Sequence, residues 1–207
     1  MKHDKSFQIK KGLMRNVKNR KLRRILIVCE GEKTEPNYFK SFPIELEVCD
    51  NIDVYGKGYN TVSLIEEAIR LKNEAEKRKE RYIEVWCVFD KDDFSIEQFE
   101  NAIRLSEQNN IRCAYSIESF EIWYMLHFNY YDTGISRTQY KEKLSELLKK
   151  PYLKNAPDIY KQLFSKQNKA IKNAKTLYNK QCQLPMKDRN PVTTVFLLVE
   201  KLRGDHP

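Results

Sequence analysis

The sequence predicts an α/β fold: a mostly parallel sheet flanked by helices, followed by a helical C-terminal region. Two observations carry this expectation. Apolar runs of strand length alternate with amphipathic, helix-length segments from residue 25 to about residue 132, the pattern of right-handed crossovers between parallel strands. Two of the runs, residues 25–29 and 85–89, are apolar at every position and end abruptly in acid, Glu30-Gly31-Glu32 after one and Asp90-Lys91-Asp92-Asp93 after the other. Unbroken apolar runs of this length suit strands buried on both faces.

In order along the chain, residues 1–24 are dense in Lys and Arg, with Asp4 the only acid, and show no period. They read as a basic arm able to contact phosphates by charge alone. Residues 25–29 are the first strand. Gly31 permits a tight turn, Thr34 caps the next helix, and Pro36 falls in its first turn. Glu35 reads as a capping acid there, because a helix N-terminus favours negative charge. Residues 46–55 alternate and read as a second strand. Gly56-Lys57-Gly58-Tyr59-Asn60 is a turn with neither a Walker A nor a GxGxxG spacing. A helix over 61–78 follows, with Leu64, Ile65, Ala68, Ile69 and Leu71 as its apolar stripe.

Residues 83–89 are the third strand, Asp93 a cap for a helix over 96–109, and residues 111–117 the fourth strand. Ser119 resembles an N-cap to a strongly aromatic helix holding Trp123, Tyr124 and Phe128. His127 in that helix reads as a hydrogen-bonded core residue, with a proton shuttle as the sharper alternative. Beyond Asp132-Thr133-Gly134 the pattern is helical: 137–149, a long Lys-rich segment over 158–181, and 191–203 with Pro191 at its first position. The expected organisation is therefore a basic arm (1–24), an α/β core (25–132) and a helical cap packed on it (133–207).

The composition bounds the partners. The chain has 207 residues, 41% hydrophobic and 32% charged, with a formal net charge of +9. That excess favours anions, nucleic acid above all. Lys166, Lys169, Lys172 and Lys175 recur every three residues and form a candidate basic stripe for a phosphate backbone. No apolar run approaches a membrane span, and no apolar segment follows the basic N-terminus as in a secretory signal. Five scattered cysteines without a CxxC pair suit reduced thiols in a cytoplasmic protein rather than a zinc site.

If the first and third strands are parallel neighbours, Glu30, Asp90 and Asp92 converge at one end of the sheet, where open α/β sheets bind their ligands. Asp90 and Asp92 are two apart and point the same way along an extended segment. Clustered carboxylates repel and need a cation or shared protons. Hard oxygen ligands point to Mg²⁺ or Mn²⁺.

A Glu-Gly after one strand and an Asp-x-Asp after a later one resemble the Toprim signature. The longer wording, Cys29-Glu-Gly-Glu-Lys-Thr-Glu-Pro-Asn-Tyr-Phe39, Phe89-Asp-Lys-Asp-Asp-Phe94 and Ser119-Phe-Glu-Ile-Trp-Tyr-Met-Leu-His-Phe128, resembles the RloB family, a Toprim-like group associated with phage defence. The resemblance implies a metal-dependent nuclease in an antiphage or abortive-infection system, working with an ATPase partner of the ABC or AAA type; the chain has no P-loop of its own. On that reading Glu30, Asp90 and Asp92 hold the metal, Glu32 or Glu121 completes a second site or acts as base, and Lys33 or Lys91 neutralises developing charge. The alternative is a non-catalytic nucleic-acid-binding or regulatory subunit of such a complex. A homo-oligomer is compatible with either.

Overall fold

In a computed structural model the described residues are 22–56, 58, 60–91 and 95–205. Most of the basic arm, Asp92 and Asp93 lie outside them.

Five strands form one sheet: β1 (Arg24–Cys29), β2 (Asn51–Gly56), β3 (Tyr82–Asp90), β4 (Arg112–Ile117) and β5 (Val192–Thr193), in the order β2-β1-β3-β4-β5. The first four are parallel and β5 is antiparallel to β4. The chain runs outward from β1 to β2, then returns across β1 to β3, so the order reverses between β1 and β3. Open α/β sheets carry their ligand crevice at such a point, and Glu30 and Asp90 stand there.

Strand periodicity sorts the side chains into two cores. Leu26, Val28, Val85, Cys87 and Phe89 face one side. They pack against Leu64, Ile65 and Ala68 of α2 (Thr61–Lys77) and against Phe99 and Ala102 of α3 (Ile96–Gln108). Ile25, Ile27, Cys29, Trp86 and Val88 face the other side. Their partners include α1 (Thr34–Lys40), α4 (Glu121–Leu126), α5 (Arg137–Leu148), α6 (Ile159–Leu163), α7 (Gln167–Gln181) and α8 (Val195–Arg203). The helical C-terminal region and the sheet thus share one continuous core. Among the described residues no helix is long and apolar enough to cross a membrane.

The starts of several helices are written locally. Asn60 accepts from the Ser63 N–H, and Ser95 with Gln98 and Ser136 with Gln139 form capping boxes. Three expected boundaries move. The second strand begins at Asn51, not near residue 46, because the Arg23 guanidinium takes the Leu46 and Glu47 carbonyls and residues 45–49 close into a turn. The long Lys-rich segment is interrupted by a 3₁₀ turn at Phe164–Lys166, which turns Gln167 inward to donate to Tyr38 Oη at 2.7 Å. The last helix begins at Val195. Pro191 follows a cis bond and leads into β5, where Thr193 Oγ1 lies 3.0 Å from Ser116 Oγ and Thr194 Oγ1 accepts from the Tyr115 N–H at 2.8 Å. Two β-branched threonines here serve a strand, and Thr193 Oγ1 also accepts from the Val195 N–H, the cap expected of Asn190 and Pro191.

Candidate functional site

Four carboxylates meet at the carboxyl end of β1 and β3. Glu30 leaves β1 with its N–H bonded to the Val88 carbonyl at 2.9 Å, so the turn starts in register with the neighbouring strand. Its Oε2 accepts from the Asp90 N–H at 3.1 Å. Asp90, the last residue of β3, accepts the Phe120 N–H on Oδ2 at 3.0 Å. Its other oxygen, Oδ1, is buried with no hydrogen-bond partner among the described residues. Burial, then the charges of Glu35 and Glu121, hold the Asp90 carboxyl well above the usual aspartate range.

Glu35 is the residue whose role the sequence hid. It lies on α1, 6% exposed, and its Oε2 is buried without a partner among the described residues. Burial foremost, and then the Glu121 charge, push it up to about 7, against an opposing pull from Lys154. It reaches this position because Gly31 has no side chain: a Cβ there would collide with the Glu35 carboxylate. The Glu-Gly pair after β1 therefore contributes an acid and the space for a second acid four residues on. Overpacking of this kind costs about 1–3 kcal/mol, toward the low end here because the group met is the end of a side chain, so Gly31→Ala at about 1–2 kcal/mol is expected to lower Tm by roughly 2–8 °C. The double variant Gly31→Ala/Glu35→Ala should recover most of that loss in thermal unfolding followed by circular dichroism. A double variant as unstable as the single one would show that the collision is not the cause.

Glu121, 7% exposed, opens α4. The Ser119 hydroxyl donates to its Oε2, and the Tyr152 hydroxyl donates to its Oε1 at 3.1 Å. Ser119, read from sequence as an N-cap, serves this carboxylate instead. Burial and the Glu121 charge push the Tyr152 hydroxyl far above its ordinary value, which keeps it a neutral donor. Tyr152 belongs to a loop pinned on α1, where the Thr34 hydroxyl donates to the Lys154 carbonyl at 2.9 Å and the Asn37 amide to the Asn155 carbonyl at 3.1 Å. That loop therefore ties the Glu35 helix to Glu121.

The other expected residues are placed as follows. Glu32 and Lys33 are exposed on the turn after β1. Glu32 faces Gly58, which has φ +64 and where a Cβ would stand 3.0 Å from Glu32 Oε1. Lys91 continues β3, its N–H bonded to the Ser116 carbonyl at 2.8 Å. Asp92 lies outside the described residues. Of the four lysines of the repeat, Lys166 ends the 3₁₀ turn and Lys169, Lys172 and Lys175 stand on α7, a helix packed against α4, β5 and α8. Lys166 stands 4.4 Å over the Phe128 ring, Lys169 donates to the Phe128 carbonyl, and Lys175 pairs with Glu200 at 2.6 Å, while Lys172 is exposed. His127 is fully buried, its Nδ1 2.9 Å from the Trp123 carbonyl, and burial lowers it to about 4, so it is a neutral core residue at pH 7.

A divalent cation fits this donor set in kind. All the groups are hard oxygens, and Asp90 Oδ1 and Glu35 Oε2 are desolvated acceptors with nothing donating to them. Among the described residues, no three of the acid, His or Cys side chains are gathered closely enough to hold an ion as they stand. The chain matches the family model described as RloB-like protein over residues 25–202. No curated protein and no solved structure matches it.

Proposed function

We propose, from the premise that this chain belongs to the RloB-like protein family, that it is a Toprim-type, metal-dependent nuclease hydrolysing phosphodiester bonds of DNA or RNA. The observation that carries the reading is Asp90: a half-buried residue at the sheet's switch point whose carboxylate faces further acids and whose Oδ1 is buried without a partner among the described residues. A buried charge cluster of this kind is costly unless used.

Glu30, Asp90 and Asp92 would hold Mg²⁺ or Mn²⁺, which supplies charge neutralisation at the phosphate and a lowered pKa for attacking water. The protein's own groups do the rest. Glu30 and the Phe120 N–H fix the orientation of Asp90. Of the glutamates available as a base, Glu32, Glu121 and Glu35, the last titrates at about 7, where a group both accepts and returns a proton effectively. Water attacks phosphorus, its proton passes to Glu35, the P–O ester bond breaks, and the proton returns to the leaving oxygen. Lys33 and Lys91, flanking the acids in sequence, would neutralise the developing charge. The resemblance further suggests an antiphage role with an ATPase partner.

A second reading is favoured by the spacing of the acids: a regulatory or nucleic-acid-binding subunit in which the carboxylates share protons instead of a metal. Calorimetric titration of Mg²⁺ and Mn²⁺ into wild type and Asp90→Asn, with and without a non-hydrolysable oligonucleotide, separates the two. Binding in wild type that is lost in the variant supports the nuclease. No binding with the oligonucleotide present would sink it.

A further inference from the structure

Of the acids, Glu35 and Glu121 are buried, while Glu30 and Asp90 are half-buried. Access to Glu121 is through a cleft of about 410 Å³ whose lining includes Glu121 and Tyr152, with Arg137, Lys141, Lys154 and Leu153 about them. That volume is in the range of small-ligand pockets, about 300–1,000 Å³, and suits one nucleotide rather than a stacked, paired helix. Arg137 and Lys141 are four apart on α5, so both project from one face. Lys154 comes from the loop held on α1. Among the described residues that line the cleft, Lys141 and Lys154 are exposed cations, and the one carboxylate, Glu121, already accepts from two hydroxyls. The cleft therefore favours an anion in spite of the acids beside it. Leu153, 66% exposed between Tyr152 and Lys154, presents an apolar surface beside those charges. Cations at the rim with an exposed apolar side chain match a phosphate joined to a base or sugar face.

We propose that this cleft takes a single unstacked nucleotide of a single-stranded or locally unpaired nucleic acid. Its phosphate lies on Arg137, Lys141 and Lys154, its base or sugar lies against Leu153, and the neighbouring phosphodiester is thereby presented to the acids. The substrate class so named rests on the nuclease reading of the acid cluster, but the binding it requires is measured without cleavage.

The test is fluorescence anisotropy of the full chain in Ca²⁺ buffer with labelled single-stranded DNA, single-stranded RNA, and the duplex of each. At least one single strand should bind about tenfold or more tighter than its duplex. Lys141→Ala/Lys154→Ala, both exposed, should weaken that binding by at least about tenfold and reduce the slope of log affinity against log salt by about 0.7, one phosphate's worth. Leu153→Ala should weaken single-strand binding and leave the slope unchanged. Duplex binding as tight as single strand, a double variant that binds like wild type, or no binding by wild type would each overturn the proposal. Tight single-strand binding without hydrolysis in Mg²⁺ or Mn²⁺ would instead remove the nuclease reading and leave the cleft's ligand standing.

Discussion

Asp90→Asn is expected to melt about 3–6 °C above wild type in metal-free buffer at pH 7.5, while hydrolysis falls roughly a thousandfold. The two effects have one cause. The Asp90 carboxylate has its Oδ1 buried, and desolvation with the charges of Glu35, Glu121 and Glu30 disfavours its ionised form. An asparagine of the same shape keeps an oxygen for the Phe120 N–H. It replaces the unpartnered Oδ1 with an amide NH₂ able to donate to a neighbouring carboxylate. Removing a repelled, unsatisfied buried acceptor is worth about 1–2 kcal/mol, which in a chain of this size is several degrees. The same change deletes the anionic ligand from the centre of the proposed metal site. Saturating Mg²⁺ should therefore raise Tm in wild type and leave the variant unmoved. Parallel melts and cleavage assays check both halves. A variant less stable than wild type without metal would mean that the acids are not in conflict, and that Asp90 is a structural residue.

What the sequence disclosed and what it hid divide along a physical line. The parallel core was legible because strands buried on both faces write unbroken apolar runs, as in Ile25–Cys29 and Val85–Phe89. Glu30 and Asp90 were legible because acid directly after such a run has nowhere to go but the strand's end. Glu121 emerged through the resemblance, since a first-turn acid is commonplace. Glu35 was misread for the same reason: three residues into a helix segment, its type and position suit a cap. Only the collision with a Cβ at Gly31 reveals that the carboxylate turns inward. Tyr152 lies 31 residues from Glu121 in a Pro-flanked loop, and nothing local marks such a long-range hydrogen bond. The lysine repeat shows what spacing alone leaves out, the partners of each side chain. A three-residue repeat drifts around a helix, so Lys175 reaches Glu200 and Lys169 reaches Phe128 instead of forming one free face.

The pH dependence of the metal-free protein follows from the same deep acids and runs against the usual direction. Glu35 titrates at about 7 in the folded chain against 4.5 ordinarily, so between these values the folded state binds the extra proton. Stability then falls as pH rises through that window and is flat above it. Asp90, also raised, acts with the same sign. His127 acts with the opposite sign. Its folded value of about 4 lies below the ordinary 6.5, so the unfolded chain takes the proton first and stability falls as pH drops below 6.5. Between pH 8 and about 7.5 the acids act alone, and from there to 6.5 protonation of His127 in the unfolded chain offsets part of their effect. Lowering the pH across that interval is expected to raise stability by about 1 kcal/mol through Glu35, roughly 2–4 °C in Tm. Below 6.5 the His127 contribution blunts the rise. Glu35→Gln should flatten the interval from 8 to 6.5 without altering the fall that His127 causes. Mg²⁺ requires the deprotonated acids, so its stabilising effect should be largest at pH 8 and shrink toward pH 6. A Glu35→Gln melt curve with the wild-type slope would remove Glu35 from the cluster's titration and from the role of base.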